Sequence, residues 1–245
     1  MKGIHINCDL GEGGDFDADL MPLISACNIA CGGHAGTLET MQHTVVLAME
    51  HNVEIGAHPS YPDKENFGRN TLEISAEDLQ LSLVAQILSL KQIAEAEGAK
   101  LSHIKPHGAL YNDAAKDKKI AQIVIDSVLE FDEISSLFVP QNSVISEMAK
   151  GKIPLIFEAF ADRNYNQNYS LVSRSKPKAL ITEKEAVFEH LFNMFSEGKI
   201  RCKNDVDISC KADTFCLHSD TPNSVEILKY LHEKLADKNI KIRNT

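Results

Sequence analysis

Acidic, basic and imidazole side chains recur where short apolar segments of this 245-residue chain end. Carboxyl and imidazole groups exchange protons, whereas ammonium and guanidinium groups hold anions. The segments end in Asp9, His58, Lys105, His107, Glu158 and His218, and the stretches that follow add Glu12, His34, Arg69, Asp162, Arg163 and Asp220. One polar residue inside an apolar segment usually belongs to the core, but a series of them at equivalent positions predicts a catalytic or ligand-binding site.

Short apolar segments alternate with longer amphipathic ones, and this order predicts the elements that position the polar residues. Seven segments have the character of strands: 4–10, 25–31, 53–58, 101–107, 137–140, 155–160 and 214–218. Apolar residues spaced by three and four predict helices between them, and Ser75, Thr182 and Thr221–Pro222 are typical helix starts. Because no linker or internal repeat divides the chain, we expect one domain over residues 1–245. Its fold class is α/β, a closed TIM-like barrel of seven strands.

The predicted strands are polar on one face only. Alternate residues of a strand point to opposite sides, which places these residues together: His5, Asn7, Asp9, Asn28, Glu54, His58, His103, Lys105 and His107. In a barrel this face lines the interior, where polar groups must be paired or hydrogen-bonded. We assign Asn28 and the strand-end residues to the site, and the deeper His5, Glu54 and His103 to a supporting network.

Two loops are suited to ligand access. The Gly-rich stretch 11–14 would let backbone amides approach a ligand closely. Residues 162–178 form a long polar segment with two arginines, Tyr165 and Tyr169, and without periodicity. Such a segment predicts a lid or a contact between subunits, and a plain surface loop is the alternative.

Composition and missing motifs exclude several function classes. The chain has 25 Lys and Arg against 35 Asp and Glu, a net charge of −10, which argues against nucleic acid as the main partner. No apolar run approaches the roughly 18 residues of a membrane span. The first residues lack secretory-signal features, so we expect a cytoplasmic protein whose six cysteines are reduced; a structural zinc site is the less favoured alternative. Phosphate-binding P-loop, serine-hydrolase and dinucleotide-binding motifs are missing.

The sequence resembles the LamB/YcsF family nearly from end to end. The motifs that carry the resemblance are Asn-Cys-Asp-Leu-Gly-Glu at 7–12, Asn-Ile-Ala-Cys-Gly at 28–32, His-Ala-Gly at 34–36, Ile-Gly-Ala-His-Pro at 55–59, Phe-Gly-Arg at 67–69, Lys-Pro-His-Gly-Ala-Leu-Tyr-Asn at 105–112, Phe-Ala-Asp-Arg at 160–163 and His218. The segment 105–112 is highly specific. These motifs contain the residues that strand parity selects independently.

The resemblance implies a barrel of the glycoside hydrolase/deacetylase type. It also implies an activity, the ATP-driven opening of 5-oxo-L-proline to L-glutamate, in which ATP is a co-substrate and two further subunits, B and C, are partners. Departures from the family pattern are Gly33, Thr37, Pro140-Gln141-Asn142, Asn168-Tyr169, Ser219 and a shortened segment after Glu12. They lie in loops, so they affect the expected substrate fit and the contacts between subunits more than the chemistry.

For lactam opening, the residues suggest separate roles. The lactam is a resonance-stabilised amide, and phosphorylation of its oxygen by ATP would make the carbon electrophilic toward water. We expect Asp9 or Glu12 to act as general base, and His58 or His107 to assist proton transfer. Lys105 and Arg163 would hold phosphoryl or carboxylate groups. The other residues assigned to substrate or phosphate binding are Asn28, His34, Arg69, Glu158, His218 and Asp220.

Two other functions stay open from the sequence. Asp9, His34 and His58 could hold a divalent metal in a deacetylase-like hydrolase, because carboxylate and imidazole ligands suit such ions. Alternatively, the chain binds and positions a small-molecule substrate while its partners perform the chemistry.

Overall fold

A closed barrel of seven parallel strands forms the centre of the computed structural model, which describes residues 2–243. The strands of the chain are β1 (Lys2–Ile4), β2 (Ile6–Leu10), β3 (Ala26–Ala30), β4 (Glu54–His58), β5 (His103–Ile104), β6 (Ser136–Pro140), β7 (Leu155–Phe160), β8 (Lys199–Arg201), β9 (Asp207–Ser209), β10 (Thr214–Cys216) and β11 (Ile240–Ile242). The barrel runs from β2 to β7 in chain order, and β10 closes it by pairing with both β7 and β2. The expected seven-stranded α/β barrel is confirmed.

Helices surround the barrel and connect its strands. They are α1 (Asp17–Leu20), α2 (Leu38–His51), α3 (Ala76–Ala96), α4 (Gly108–Ala114), α5 (Lys118–Leu129), α6 (Val144–Ala149), α7 (Lys184–Phe192) and α8 (Ser224–Ala236), with a 3₁₀ turn at Met21–Leu23 and a π turn at Asn193–Glu197. Among residues 2–243, none of these helices has the length and apolar character that crossing a membrane requires.

The predicted start of one helix is correct, and two are wrong. The Ser75 hydroxyl accepts the backbone N–H of Asp78 and caps α3, as expected. Thr182 is not a cap, because α7 begins after Glu183. Thr221 does not start α8 either. Its hydroxyl donates to the buried Asp162, and the helix begins after Asn223 instead. The Thr221 side chain is thus engaged in a tertiary hydrogen bond and does not cap the helix.

The predicted strands 4–10 and 101–107 differ most from the structure, while the predicted strand 214–218 ends early, at Cys216. The first is interrupted, since Ile4 ends β1, which pairs with β11 outside the barrel, and β2 begins at Ile6. The segment 101–107 keeps only His103–Ile104 as strand. Pro106 lacks an N–H and restricts the residue before it, so the ladder does not continue regularly. The N–H of Lys105 still donates to the Ala57 carbonyl, which holds its side chain in the barrel.

The two faces of the strands differ as parity predicts. Cys8, Leu10 and Ile29 belong to the buried apolar cluster, which also contains the helix residues Leu83 and Ile87. Burial of such side chains away from water supplies most of the folding free energy. The opposite face fills the barrel with buried polar groups: Asn7, Asp9, Asn28, His103 and Lys105, each at most 4% exposed. Their hydrogen bonds therefore decide whether the interior is stable.

The six cysteines have free thiols, and all except Cys210 are buried. Burial raises the pKa of Cys27 and Cys31 above the usual range of a thiol. These side chains behave as small apolar groups, since a buried protonated thiol is unreactive.

Candidate active site at the mouth of the barrel

A cavity of about 560 Å³ opens at the carboxyl ends of the barrel strands. This is the end at which barrel enzymes carry their active sites. Nine of the predicted site residues line the cavity: Asp9, Glu12, His58, Arg69, Lys105, His107, Arg163, His218 and Asp220. The other four, Asn28, His34, Glu158 and Asp162, are buried and contact lining residues from behind. The structure therefore brings the predicted residues together at one place.

The floor of the cavity is a buried ammonium group between two carboxylates. Lys105 Nζ lies 2.8 Å from Asp9 Oδ1 and 3.0 Å from Glu158 Oε1. Burial alone would lower the pKa of Lys105, but the charge of Asp9 raises it well above its ordinary value. Burial alone would likewise raise the pKa of Asp9, and the charges of His58 and Lys105 hold it well below its usual range. Asp9 and Lys105 are therefore both charged.

Asn28 supports this floor from inside the barrel. Its amide nitrogen donates to Asp9 Oδ1 at 2.7 Å and to Asn7 Oδ1 at 2.8 Å. His103 donates from Nε2 to Asn28 Oδ1 at 2.7 Å, and its ring stacks on Phe138 with centroids 4.0 Å apart. Since both amide atoms are engaged within the barrel, Asn28 positions the Asp9 carboxylate. Its expected role in substrate or phosphate binding stays a prediction.

Three imidazoles and one carboxylate converge beside the floor. Ligand atoms of Glu12, His34, His58 and His107 all lie within 4.8 Å of one another. Glu12 Oε1 is 2.9 Å from His34 Nε2 and 3.3 Å from His107 Nδ1. The rings of His34 and His107 are stacked, with centroids 3.6 Å apart. We call these four residues the imidazole cluster.

Backbone carbonyls determine the tautomers of two of these rings. His58 Nδ1 lies 2.7 Å from the Lys105 carbonyl, and His107 Nε2 lies 3.0 Å from the Phe67 carbonyl. A carbonyl oxygen only accepts, so these two nitrogens carry the protons. The opposite nitrogens, His58 Nε2 and His107 Nδ1, then face each other 2.9 Å apart, so a hydrogen bond joins them only if one of the two is also protonated.

Burial also sets the protonation of the imidazole cluster. It lowers the pKa of His34 to about 4 and that of His107 well below its ordinary value. Burial, followed by the charge of Asp9, raises the pKa of Glu12 to about 7. The neutral imidazoles of His34 and His107 and a carboxyl that titrates near neutrality are suited to proton transfer and to metal binding alike.

The carboxylate of the imidazole cluster is Glu12, whereas Asp9 was the carboxylate expected to bind a metal. The sequence predicts Asp9, His34 and His58, but the structure groups Glu12 and His107 with the two histidines. Asp9 Oδ2 does approach His58 Nε2 at 3.4 Å, while its other oxygen is taken by Lys105. Asp9 also lies near Cys216 and His218, but the Lys105 ammonium contacts Cys216 Sγ at 3.1 Å and repels a second cation there.

The polar segment 162–178 covers one side of the cavity. At the rim, Asp220 accepts from Arg69 at 2.6 Å and from Arg174 at 3.0 Å, which joins this segment to two strand-end loops. Arg163 donates to the Val172 carbonyl within the segment. Arg174 is the second arginine of this segment and is not among the site residues expected from the sequence. Only its contact with Asp220 identifies it.

The base of the covering segment is held by a buried carboxylate. Asp162 is fully buried and accepts from both the ring and the backbone N–H of His218, and from the Thr221 hydroxyl. Burial alone would raise the pKa of Asp162, but the charge and hydrogen bonds of His218 lower it to about 2. Asp162 therefore orients His218 toward the cavity.

The charge of the cavity is opposite to that of the whole chain. Five cationic side chains line it, Arg69, Lys105, Lys116, Arg163 and Arg174, against three acidic ones, Asp9, Glu12 and Asp220. The chain as a whole carries −10. A local excess of positive charge attracts anionic ligands despite the acidic surface. The cavity thus suits a small molecule that carries carboxylate or phosphoryl groups.

Some departures from the family pattern have visible structural partners. A Cβ at Gly33 would overlap Gln86 and Ser60, and Gln86 uses that space to bind both backbone groups of Ser60. Thr37 caps α2 through Thr40. Gly33 and Thr37 thus support the local structure and do not line the cavity.

These features define a barrel protein of the α/β class with a buried polar interior and a mouth lined by more cationic than acidic side chains. The chain belongs to the LamB/YcsF family, whose model matches residues 4–245. It is 42% identical over 243 residues to the 5-oxoprolinase A subunit of Haemophilus influenzae strain PittEE, covering 99% of both chains. It is 39% identical over 245 residues to the 5-oxoprolinase A subunit of Pyrococcus abyssi strain GE5 / Orsay, covering 98% of this chain and 96% of that one. The crystal structure of a lactam utilization protein from Thermus thermophilus superposes with a TM-score of 0.92 and 34% identity over the full length of both chains.

Proposed function

We propose that this chain is the A subunit of an ATP-dependent 5-oxoprolinase that opens the lactam of 5-oxo-L-proline together with the B and C subunits. The observation that carries the proposal is the similarity over 99% of both chains to a relative named as the 5-oxoprolinase A subunit. The cationic cavity supports it, because 5-oxoproline is a carboxylate and phosphorylation adds further negative charge.

The substrate carboxylate is placed at the cationic rim. Arg163 and Arg174 line this side of the cavity, and a guanidinium holds a carboxylate through two parallel hydrogen bonds. Arg163 Nε is buried without a hydrogen-bond partner among residues 2–243, so it has a donor left for a ligand. The lactam ring then points toward the floor, where Lys105 and Glu12 lie.

The chemistry requires two group transfers. The γ-phosphoryl group of ATP passes to the lactam oxygen, and ADP leaves. Water adds to the activated carbon, the ring C–N bond breaks, and the nitrogen takes a proton. The resulting acyl phosphate reacts with a second water to give L-glutamate and phosphate. The ATP-binding surface is assigned to the assembled complex, in agreement with the missing P-loop.

The charge and position of each residue indicate the step that it serves. Lys105 lies where negative charge develops on the lactam oxygen and stabilises it. Glu12 is better suited than Asp9 as the general base, because Asp9 is engaged by Lys105 while Glu12 lies beside His107 and lines the cavity. His107 and His58 are within reach of Glu12 to relay the proton.

Glutamate release tests the proposal. It is measured with 5-oxoproline and ATP, for this chain alone and after addition of the B and C subunits. Release only by the mixture supports the proposal, and Asp9→Asn and Lys105→Ala are expected to abolish it. Near wild-type activity in both variants would contradict the roles proposed for Asp9 and Lys105. If the mixture works equally well with both variants but still requires the chain, the chain only binds the substrate and its partners perform the catalysis.

A divalent-metal hydrolase is the second candidate, and one observation favours it. His58 Nε2 and His107 Nδ1 face each other at 2.9 Å, an arrangement that is repulsive unless a proton or cation lies between them. Glu12 and His34 complete a mixed carboxylate and imidazole donor set that fits zinc or a similar ion. The carbonyls of Lys105 and Phe67 would orient the ligands, as outer-shell groups do in metal sites. When bound, such an ion would polarise a carbonyl or activate water.

Metal content distinguishes the two candidates. Protein purified without chelator is analysed for bound metals, beside a His58→Ala variant and a His43→Ala control on the exposed face of α2. Stoichiometric metal in the wild type and the control, but not in His58→Ala, would support the metal site. Equal trace amounts of metal in all three proteins would contradict the metal site and favour a role of the imidazole cluster in proton transfer.

A further inference from the structure

Thr214 is a fully buried threonine of β10 whose hydroxyl joins two polar side chains inside the barrel. Its Oγ1 accepts from Asn7 Nδ2 at 2.9 Å and lies 2.8 Å from His5 Nδ1. The hydroxyl proton cannot bind the amide nitrogen, which only donates, and within residues 2–243 His5 Nδ1 is the other partner of this oxygen. Thr214 therefore accepts from Asn7 and donates to His5.

This orientation extends to a charged group at either end. A neutral His5 that accepts at Nδ1 carries its proton on Nε2, which lies 3.6 Å from Glu54 Oε1. Asn7, which donates to Thr214 from Nδ2, presents its Oδ1 to the Lys105 ammonium at 3.3 Å. Each group from the ammonium at the floor of the cavity to the carboxylate of Glu54 thus directs its proton to the next. Aligned hydrogen bonds of this kind strengthen one another.

The Asn7 amide oxygen is the deepest acceptor of the Lys105 ammonium. An ammonium has three N–H groups, and the oxygens around this one belong to Asp9, Glu158 and Asn7. Asn7 precedes Asp9 by two residues on the same face of β2, so it lies about 7 Å farther from the mouth. The two carboxylates attract the ammonium by their charge. The uncharged Asn7 oxygen does so only while its amide is held in place.

We propose that Thr214 is a positioning residue for Lys105, because its hydroxyl fixes the Asn7 amide and the amide oxygen sets the depth of the ammonium below the cavity. Without this hydroxyl, the Asn7 amide nitrogen is buried without its acceptor, which is unfavourable until the amide turns toward another one. The amide oxygen then leaves the ammonium. The effect on the reaction rate rests on the proposed function, in which Lys105 stabilises charge on the lactam oxygen.

The first test needs no substrate. Long-range ¹H–¹⁵N NMR spectra of the full chain identify the ring nitrogen that carries the proton, at about pH 9, where histidine in solution is neutral. The signals of His5 are assigned by their loss in His5→Gln. A proton on Nε2 of His5 is expected. A proton on Nδ1 would make Thr214 an acceptor from both neighbours, which would overturn the proposal.

The second test measures glutamate release by the assembled complex. Thr214→Val keeps the shape of the side chain without the hydroxyl, and kcat is expected to fall about tenfold, the effect of one lost hydrogen bond on a barrier. The KM values for 5-oxoproline and ATP should change by less than about threefold, because Thr214 does not line the cavity. Thr214→Ser retains the hydroxyl and should keep kcat within about threefold of the wild type.

Thr44→Val is the matched control. Thr44 is also buried, but its hydroxyl donates to the Thr40 carbonyl within α2, outside the barrel. It should leave kcat unchanged. A wild-type kcat in Thr214→Val, an equal loss in Thr214→Ser or an equal loss in Thr44→Val would overturn the proposal and leave the proposed function intact. A wild-type complex that releases no glutamate overturns the proposed function, and the tautomer of His5 then still tests the orientation of Thr214.

Discussion

His58 Nε2 and His107 Nδ1 face each other at 2.9 Å, because the Lys105 and Phe67 carbonyls accept the N–H groups on the far sides of both rings. Burial lowers the pKa of His107, so protonation of this ring does not readily relieve the contact. The pair is therefore suited to bind a cation, or to accept a proton from Glu12, which lies 3.3 Å from His107 Nδ1.

The metal site predicted from this contact should raise thermal stability. Adding Zn²⁺ to metal-free protein at about 100 times its Kd is expected to stabilise the fold by about 2.7 kcal/mol, because the ion binds only the folded state. For a chain of this size that corresponds to a rise in Tm of roughly 5–10 °C. Differential scanning calorimetry measures it. His107→Ala should remove the rise and His43→Ala should retain it; no rise in the wild type contradicts the metal site.

Replacement of Lys105 by methionine should be strongly destabilising. It leaves Asp9 and Glu158 without the ammonium that lies between them, and breaking a buried ion pair on one side costs about 3–5 kcal/mol. Urea unfolding measures the loss. The double variant Lys105→Met with Asp9→Asn removes one of the two stranded charges, so it should regain part of the stability. A Lys105→Met protein as stable as the wild type would show that the floor is solvated.

Gly56→Ala should disturb the support beneath Asp9. A Cβ at position 56 would overlap the ring of His103, which holds Asn28. Overpacking of this kind costs about 1–3 kcal/mol. In a double-mutant cycle, His103→Ser should make room, so that the combined loss is smaller than the sum of the single losses.

Gly14→Ala is the control for this experiment, because a Cβ there meets only Asp17 at 4.0 Å. It should leave the urea midpoint unchanged. Additive losses in the Gly56 and His103 variants would mean that the ring is not the obstacle.

Asp162 should contribute stability that disappears in acid. Its folded pKa of about 2 lies below the unfolded value of about 4, so the contribution is complete above about pH 5 and is lost as pH falls toward 2. The full contribution is roughly 2–3 kcal/mol, of which about 1 kcal/mol should be lost by pH 3.

The difference in unfolding free energy between wild type and Asp162→Asn measures this effect, since most other titrations cancel. The difference should shrink between pH 6 and pH 3. Asp237→Asn, at an exposed site directly after α8, should show a difference near zero at both pH values. A constant difference for Asp162→Asn would contradict the assignment of its low pKa to His218.

Much of the architecture can be predicted from local patterns. Alternation along the strands assigns Asp9, Asn28 and Lys105 to the barrel interior, and the structure places them there. Their positions near the carboxyl ends also predict where the cavity opens. These inferences succeed because the side-chain direction in a strand depends only on residue parity. Local signals fail where a distant partner competes for the same group, as Asp162 does for the Thr221 hydroxyl.

Residue patterns along the chain are thus sufficient to predict the closed barrel, its polar interior and the end at which the site lies. The pairings of side chains are not predictable in this way: Lys105 with Asp9, Glu12 with the imidazoles, and Tyr169 with Ser209. These partners are separated by 22 to 96 residues in the chain. Their contacts depend on strand register and barrel closure, which no local periodicity encodes.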